Sequence, residues 1–302
     1  NWNEFPVDAS HPYFVFDHNR CILCRRCVRA CSDLVGNFTL GVENRGARTL
    51  VMADYGLPMG ESSCIRCGTC VQVCPTGALI ERNSAYQGLE TDATEVESVC
   101  TACSVGCGIR LLVRDNRIIR VLGDWKAPVN NGVLCTLGRY ETLADKRTRL
   151  TTPLVRKSGG LAPVSWDEAL AVVNQKVNAA NGSVAALVSS RLPAEDLYAF
   201  KQLFDHNGTK HQPLVASIEE NLTTAELSNE KLSGNLDDLK SADCVLVIGA
   251  DLVKSHQVAG FFVKRNRPKG VNIILVDPNE NETEAVANFS LRPTPGSDAA
   301  LV

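Results

Sequence analysis

The sequence contains no apolar run long enough to cross a bilayer, so direct membrane insertion is not expected of these 302 residues. Neither sign of charge is in excess, because the formal net charge is -3 and no long basic or acidic block occurs. That leaves no electrostatic footprint for nucleic acid or for an anionic membrane surface. No stretch reads as a secretory leader, although the chain starts at Asn1 rather than Met and an upstream targeting signal would be invisible. A phosphate-binding glycine fingerprint is missing too, since neither Gly159-Gly160 nor Gly249 is followed by one. The remaining composition is that of an ordinary globular chain, 44% hydrophobic and long enough for two or three compact units.

Cysteine is abundant and unevenly placed. Twelve of the thirteen cysteines fall in three tight groups between residues 21 and 135. Such grouping reads as metal ligation rather than a disulfide framework, and it implies a reducing, cytoplasmic setting. Cys21, Cys24, Cys27 and Cys31 are spaced by two, two and three residues, and the same spacing returns at Cys64, Cys67, Cys70 and Cys74, followed by Pro75. In a two-cluster ferredoxin, three thiolates on one loop hold three irons of a cubane while the fourth cysteine of the run reaches the other cluster. The expected ligand sets are therefore Cys21, Cys24, Cys27 and Cys74 for one 4Fe-4S cluster, and Cys64, Cys67, Cys70 and Cys31 for a second.

The third group is Cys100, Cys103, Cys107 and Cys135. Strand-like segments at residues 109–114 and 117–122, joined by the turn pair Asp115-Asn116, would fold the chain back so that Cys135 meets the other three. A third 4Fe-4S cluster is the expected occupant, and a structural zinc is the competing one. His11 and His18 lie in an extended lead-in over residues 1–20 and are expected to pack rather than ligate, because four thiolates already serve each cluster. A β-hairpin is expected between the two ferredoxin runs, and after Cys74 the segment PTGALIER should turn amide groups toward cluster sulfur.

Beyond Thr151 cysteine almost vanishes and strand-like and helix-like segments alternate. Ser165 and Glu168 form a capping-box pattern before WDEALAVVNQKVNAA. A strand over 184–189, a helix over 194–205, the strand CVLVIGAD, a helix over 255–265 and the strand VNIILVDP follow. The alternation implies a parallel sheet covered on both faces. Its ligands would bind beyond the carboxyl ends of the strands, near Gly249, Ala250, Asp251, Asp277 and Pro278. Cys244 sits in one of these strands and is expected to be a buried hydrophobe.

Together these motifs resemble a known assembly. The group Cys100 to Cys135, followed by LTTPLVRKSGGLAPVSWDEAL, DCVLVIGADLVKSH, NIILVDPNENETE and LRPTPGSDAAL, is similar to the molybdopterin oxidoreductase superfamily. With a two-cluster ferredoxin module in front, the chain resembles formate dehydrogenase alpha subunits, the large iron-sulfur subunit of respiratory complex I, and subunits of NAD-linked or electron-bifurcating hydrogenases and transhydrogenases. The resemblance implies an α+β two-cluster ferredoxin module over residues 1–95 and a third 4Fe-4S domain over 96–150. It implies a partial, degenerate α/β parallel-sheet (Rossmann-like) domain of molybdopterin oxidoreductase type over 151–302, with further cluster-binding sequence upstream or on a neighbouring subunit.

Departures from the catalytic members shape the functional expectation. Those members carry a cysteine or selenocysteine metal ligand followed by histidine in a stretch that reads HNGTKHQPLVASIEENLTT here, without cysteine and with His206 and His211 out of the expected pairing. Leu137 stands where a lysine commonly lies two residues beyond the fourth cluster cysteine, and NENETE follows VDP where arginine is frequent. The expectation is a non-catalytic electron-transfer subunit with three 4Fe-4S clusters and no molybdopterin. Its partners would be a flavin-containing, NAD(P)-reactive subunit and a second redox subunit or ferredoxin. The alternative is a catalytic molybdenum or tungsten-pterin formate dehydrogenase alpha subunit, and a structural or redox-sensing module is a third reading.

Overall fold

A computed structural model describes residues 4–142, 148, 150–180, 184, 187–189, 192–206, 214–216 and 234–297. The chain divides into two compact units, one comprising Asn1–Ala144 with Leu232–Val302, the other Asp145–Lys231.

In the first unit, β1 (Phe14–Phe16) pairs antiparallel with β4 (Leu79–Glu81), which closes the segment carrying both early cysteine runs. Each run leads into a short helix, α1 (Arg26–Arg29) or α2 (Thr69–Val73). Both helices start from a residue in the left-handed region, Arg25 at φ 59° and Gly68 at φ 68°, so the two halves bend the chain in the same way. Between them lies the expected hairpin, β2 (Leu40–Glu43) against β3 (Leu50–Ala53). Phe14, Phe16, Leu40, Val51, Met59, Val71 and Leu79 close one hydrophobic core around Cys27 and Cys70.

The next sheet is antiparallel in the order β5 (Thr94–Val99), β6 (Gly108–Arg114), β7 (Arg117–Gly123). Asp115 and Asn116 turn with φ 48° and 56°, the two positive angles that match the right-handed twist of a hairpin. The strands extend the expected hairpin by one residue at each outer end. Arg120 of β7 donates to Glu81 of β4 at 3.1 Å, and a second core gathers Val35, Ile109, Val121, Val133 and Leu134 around Cys67, Cys100 and Cys107.

The same unit ends in β12 (Cys244–Ile248), helix α5 (Gln257–Lys264), β13 (Asn272–Val276) and β14 (Phe289–Leu291), with parallel pairing of β12 to β13 and β13 to β14. Helix α5 packs Val258, Phe261 and Phe262 into the core around Cys67, and Val263 against Val245, Val247, Ile273 and Leu275. Two expectations need correction. Along β12 burial alternates, so among the described residues the strand is covered on one face rather than two. Cys244 falls on the other face and is exposed, not a buried hydrophobe, because its side chain points away from α5 with Leu246 and Ile248.

The second unit begins with the hairpin β8 (Leu154–Lys157) and β9 (Gly160–Pro163) and continues into helix α3 (Trp166–Ala179). Ser165 caps α3 by accepting from Glu168 N at 3.2 Å, but the Glu168 carboxylate pairs with Lys157 Nζ at 3.0 Å instead of completing a capping box. Helix α4 (Ala194–His206) lies between β10 (Leu187–Ser189) and β11 (Leu214–Ala216), which pair in parallel. Of the expected strand over 184–189, residues 187–189 form β10, and 185 and 186 lie outside the described residues.

Candidate metal centres

Two cavities of nearly equal size lie within the ferredoxin-like segment. One is lined by Cys21, Cys24, Cys27 and Cys74 together with Phe16, Val51 and Leu79. The other is lined by Cys31, Cys64, Cys67 and Cys70 with Val35, Asn37 and Met59. Each takes three cysteines from one run and the last cysteine of the other. The cause is local: Cys31 sits in the helical turn Ala30–Leu34 that continues α1, and Cys74 caps α2, so each helix carries its final thiol out of its own loop.

Burial makes these thiols reluctant to ionise unaided. It pushes Cys27 and Cys64 up to about 12 and Cys70 well above its ordinary value. Thiolates in such surroundings require a cationic partner, and loading a metal there releases protons. Cys74 differs: burial pushes it up, but the amides of Leu79, Thr76 and Ala78 and the Thr76 hydroxyl outweigh burial and bring it down. Those amides belong to the segment after Cys74, where the sequence places bends toward sulfur.

The third group also converges. Cys100 N donates to Cys107 O at 2.8 Å, and Gly138 N donates to Cys135 Sγ at 3.3 Å. A Cβ on Gly138 would stand 3.2 Å from Cys100 Sγ and 3.8 Å from Cys135 Sγ, so that residue packs between the two sulfurs. Burial raises the Cys107 pKa, and the thiolates of Cys135, Cys100 and Cys103 raise it further. Asn130, fully buried, accepts from Gly108 N at 2.9 Å and donates to Gly108 O at 3.1 Å and Val133 O at 2.8 Å, which ties the residue after Cys107 to the approach to Cys135. Among the described residues no three His, Cys, Asp or Glu side chains come close enough to hold a single metal ion.

Several polar residues border these sites, and all of them but His11, which packs as expected, escape the sequence reading. His11 is buried, stacked on Phe14 at 3.7 Å, with Nε2 3.9 Å from Cys64 Sγ. Arg139, 1% exposed, donates through Nε to Cys67 O at 2.8 Å and through Nη1 to Gln72 Oε1 at 2.8 Å and Val121 O at 3.3 Å. Thr136 Oγ1 donates to Ile65 O at 3.0 Å. Residues one and four positions after Cys135 thus fasten to the loop that carries Cys64 and Cys67. Tyr140 stacks on Tyr13 at 4.4 Å and keeps a buried hydroxyl without a partner. The one hint in sequence was the helical spacing of Arg139 from Cys135.

At the carboxyl ends of β12 and β13 the expected ligand-side residues brace loops. Asp251 accepts from Val253 N, Lys254 N and Glu282 N at 3.0 to 3.1 Å, and Asp277 accepts from Asn281 Nδ2 at 2.8 Å. Gly249 N donates to Val276 O at 2.9 Å, while Asn281 Nδ2 also donates to Ala250 O at 3.1 Å. Most of the stretch from His206 to Thr224, His211 included, lies outside the described residues.

Comparison with known proteins matches residues 20–78 to a 4Fe-4S dicluster domain, 93–141 to the molybdopterin oxidoreductase Fe4S4 domain, and 149–302 to molybdopterin oxidoreductase. The chain is 32% identical over 95% of its length to an NADH-quinone oxidoreductase subunit of Rhizobium meliloti, of which it spans 34%. It is 28% identical over 99% of its length to a putative formate dehydrogenase of Staphylococcus aureus, of which it spans 36%. It therefore spans about a third of these curated relatives. Acetylene hydratase from Pelobacter acetylenicus shares the fold over 68% of this chain and 30% of its own, with a TM-score of 0.54 at 18% identity. With one family matched over half of its residues and Fe4S4 domains ahead of that match, this chain belongs to the molybdopterin oxidoreductase family.

Proposed function

We propose that this chain is an electron-transfer part of a multi-subunit, NAD(P)- and flavin-linked oxidoreductase. Its three 4Fe-4S clusters would be held by Cys21, Cys24, Cys27 and Cys74, by Cys31, Cys64, Cys67 and Cys70, and by Cys100, Cys103, Cys107 and Cys135. The observation that carries the reading is the pair of matched cavities, each lined by four cysteines drawn three and one from the two runs. A bound cubane supplies one-electron chemistry at a potential that hydrogen bonds, charge and exposure tune.

The protein's own residues do the rest. Phe14, Phe16, Val51 and Met59 keep water from the first two sites, and the amides after Cys74 aim positive charge at its sulfur. The second site borders both others, since Cys70 shares a core with Cys27 while Cys67 shares one with Cys100 and Cys107. The first site opens outward, where Cys24 and Ile22 are exposed. That edge suits exchange with a partner, for which a flavin-containing NAD(P)-reactive subunit and a second redox subunit or ferredoxin are the proposed candidates. The kinship with an NADH-quinone oxidoreductase component supports this pairing. Among the described residues no helix is long and apolar enough to cross a membrane, and we place the chain in the cytoplasm on its cysteine chemistry.

The family match over residues 149–302 favours a second reading, formate oxidation at a molybdenum or tungsten pterin. The donor set does not fit it. Cys244 is the one cysteine outside the three groups, and it stands at the amino end of β12, opposite the strand ends where such sheets bind ligands. Anaerobic purification with iron, sulfide, molybdenum and tungsten quantification tests both readings. The expected result is about twelve irons per chain, four for each cubane, with neither heavy metal. Fewer irons overturn the three-cluster reading, and molybdenum or tungsten with formate-dependent dye reduction establishes the alternative.

A further inference from the structure

A lysine at the end of a helix ordinarily lays its stem over apolar surface and keeps its ammonium in water, where it also complements the helix dipole. Lys264, the last residue of α5, is instead 6% exposed, the one lysine among the buried residues of the described structure. Its Nζ donates a single hydrogen bond, to Asn37 Oδ1 at 3.2 Å, and lies 5.5 Å from the centre of the Phe261 ring. Burial lowers its pKa, and the charges that act in the other direction are the thiolates of Cys67 and Cys31 rather than any carboxylate. A buried ammonium without a counter-charge is strongly unfavourable, so this placement calls for an anion nearby.

The approach of Lys264 is built into the fold. Gly36 has φ 69°, and a Cβ there would stand 2.7 Å from Arg265 N and 3.0 Å from Lys264 Cβ. Only glycine lets the end of α5 rest against the loop that follows Cys31. Asn37, which holds Nζ, lines the cavity shared by Cys31, Cys64, Cys67 and Cys70. Its backbone N donates to Cys31 O at 3.0 Å, and its Nδ2 donates to Thr39 Oγ1 at 2.6 Å and Ser63 O at 3.0 Å, which leaves Oδ1 turned to the lysine.

We infer that Lys264 is the counter-charge of the site formed by Cys31, Cys64, Cys67 and Cys70, a positioning residue that raises the reduction potential of the cluster bound there. Four thiolates leave a bound cubane anionic, and each electron it accepts adds negative charge, so a fixed ammonium in a low-dielectric surrounding favours the reduced form. The inference rests on the cluster assignment proposed above.

EPR-monitored redox titration of the iron-loaded protein tests it, with the cluster identified by the signal that Cys64→Ser perturbs. Lys264→Met is expected to lower the potential of that cluster by at least the equivalent of a tenfold loss in its reduction equilibrium, about 59 mV for one electron. The other two potentials stay in place, and Lys264→Arg, which keeps the charge, stays near wild type. An unmoved potential in Lys264→Met, or equal shifts in all three clusters, overturns the inference. If the methionine variant loads fewer than three clusters, Lys264→Gln keeps a donor for Asn37 and carries the same two outcomes. Wild-type protein that itself loads fewer than three clusters overturns the assignment instead, so the two failures are distinct.

Discussion

Gly68 shows how tightly single residues are constrained beside the second cysteine cavity. It follows Cys67 directly, has φ 68°, and a Cβ on it would collide with the Tyr140 hydroxyl and the Arg139 side chain. Gly77 follows Cys74 by three residues with a similar φ of 66°, but a Cβ there meets nothing within 4 Å. The pair separates two effects. Gly77→Ala should lose only the backbone share, about 1 kcal/mol. Gly68→Ala should lose that plus the overpacking of a filled core, about 2–4 kcal/mol altogether. Thermal unfolding of the loaded protein checks the order, and equal midpoints for the two variants would sink the close-approach argument. The cysteines were legible from sequence because their spacing is a local property of one loop. Tyr140 and Lys264 were not, because nothing within ten residues of either reveals which distant segment will cover it. Cys244 misled for the same reason: an apolar run reads as a fully buried strand until the elements that cover each face are known.

At the level of whole strands and loops, the third site depends on how one hairpin is anchored. Strand β6 starts at Gly108, immediately after Cys107, and β7 ends at Gly123, twelve residues before Cys135. The hairpin was readable from Asp115-Asn116, since two residues that tolerate positive φ between alternating apolar segments specify a tight turn. Its partner β5 was not, because TEVESV has few residues that demand burial and all six are exposed. What fixes the ends of the hairpin is Asn130, whose amide serves both Gly108 backbone groups and Val133 O. Asn130→Ala would take this partner from Gly108 N and Val133 O, at about 1–3 kcal/mol for each one left unpaired, while Gly108 O keeps the bond from Asp124 N at 3.1 Å. The penalty falls on the approach of Cys107 to Cys135. The expected outcome is loss of about four of twelve irons, one cubane, with the two ferredoxin-type EPR signals intact. A variant that retains all its iron would show that Cys135 is placed by other contacts, chiefly those of Thr136 and Arg139.

Across the described residues, the two largest hydrophobic cores hold cysteines of all three groups. Cys27 and Cys70 belong to one core, and Cys67, Cys100 and Cys107 belong to the next, so apolar side chains wall the candidate metal sites. The parallel strands at the end of the chain bring α5 into the second of these cores, where Val258, Phe261 and Phe262 pack around Cys67. The family's α/β region thereby contributes directly to a ferredoxin-type site. Cysteine accessibility turns this arrangement into a measurement. Cys24 and Cys244 are both exposed, so without a cluster both thiols would meet an alkylating reagent freely. If Cys24 is ligated, its sulfur is bonded to iron and unreactive while Cys244 remains a free thiol. Brief anaerobic alkylation of the iron-loaded protein, read by peptide mass spectrometry, should label Cys244 and leave the twelve grouped cysteines unmodified. After iron chelation and unfolding, all thirteen should react. Labelling of Cys24 in the loaded protein would remove it from the first ligand set. Labelling of Cys103 or Cys135 alone would dismantle the third set while leaving the two ferredoxin-type sites standing.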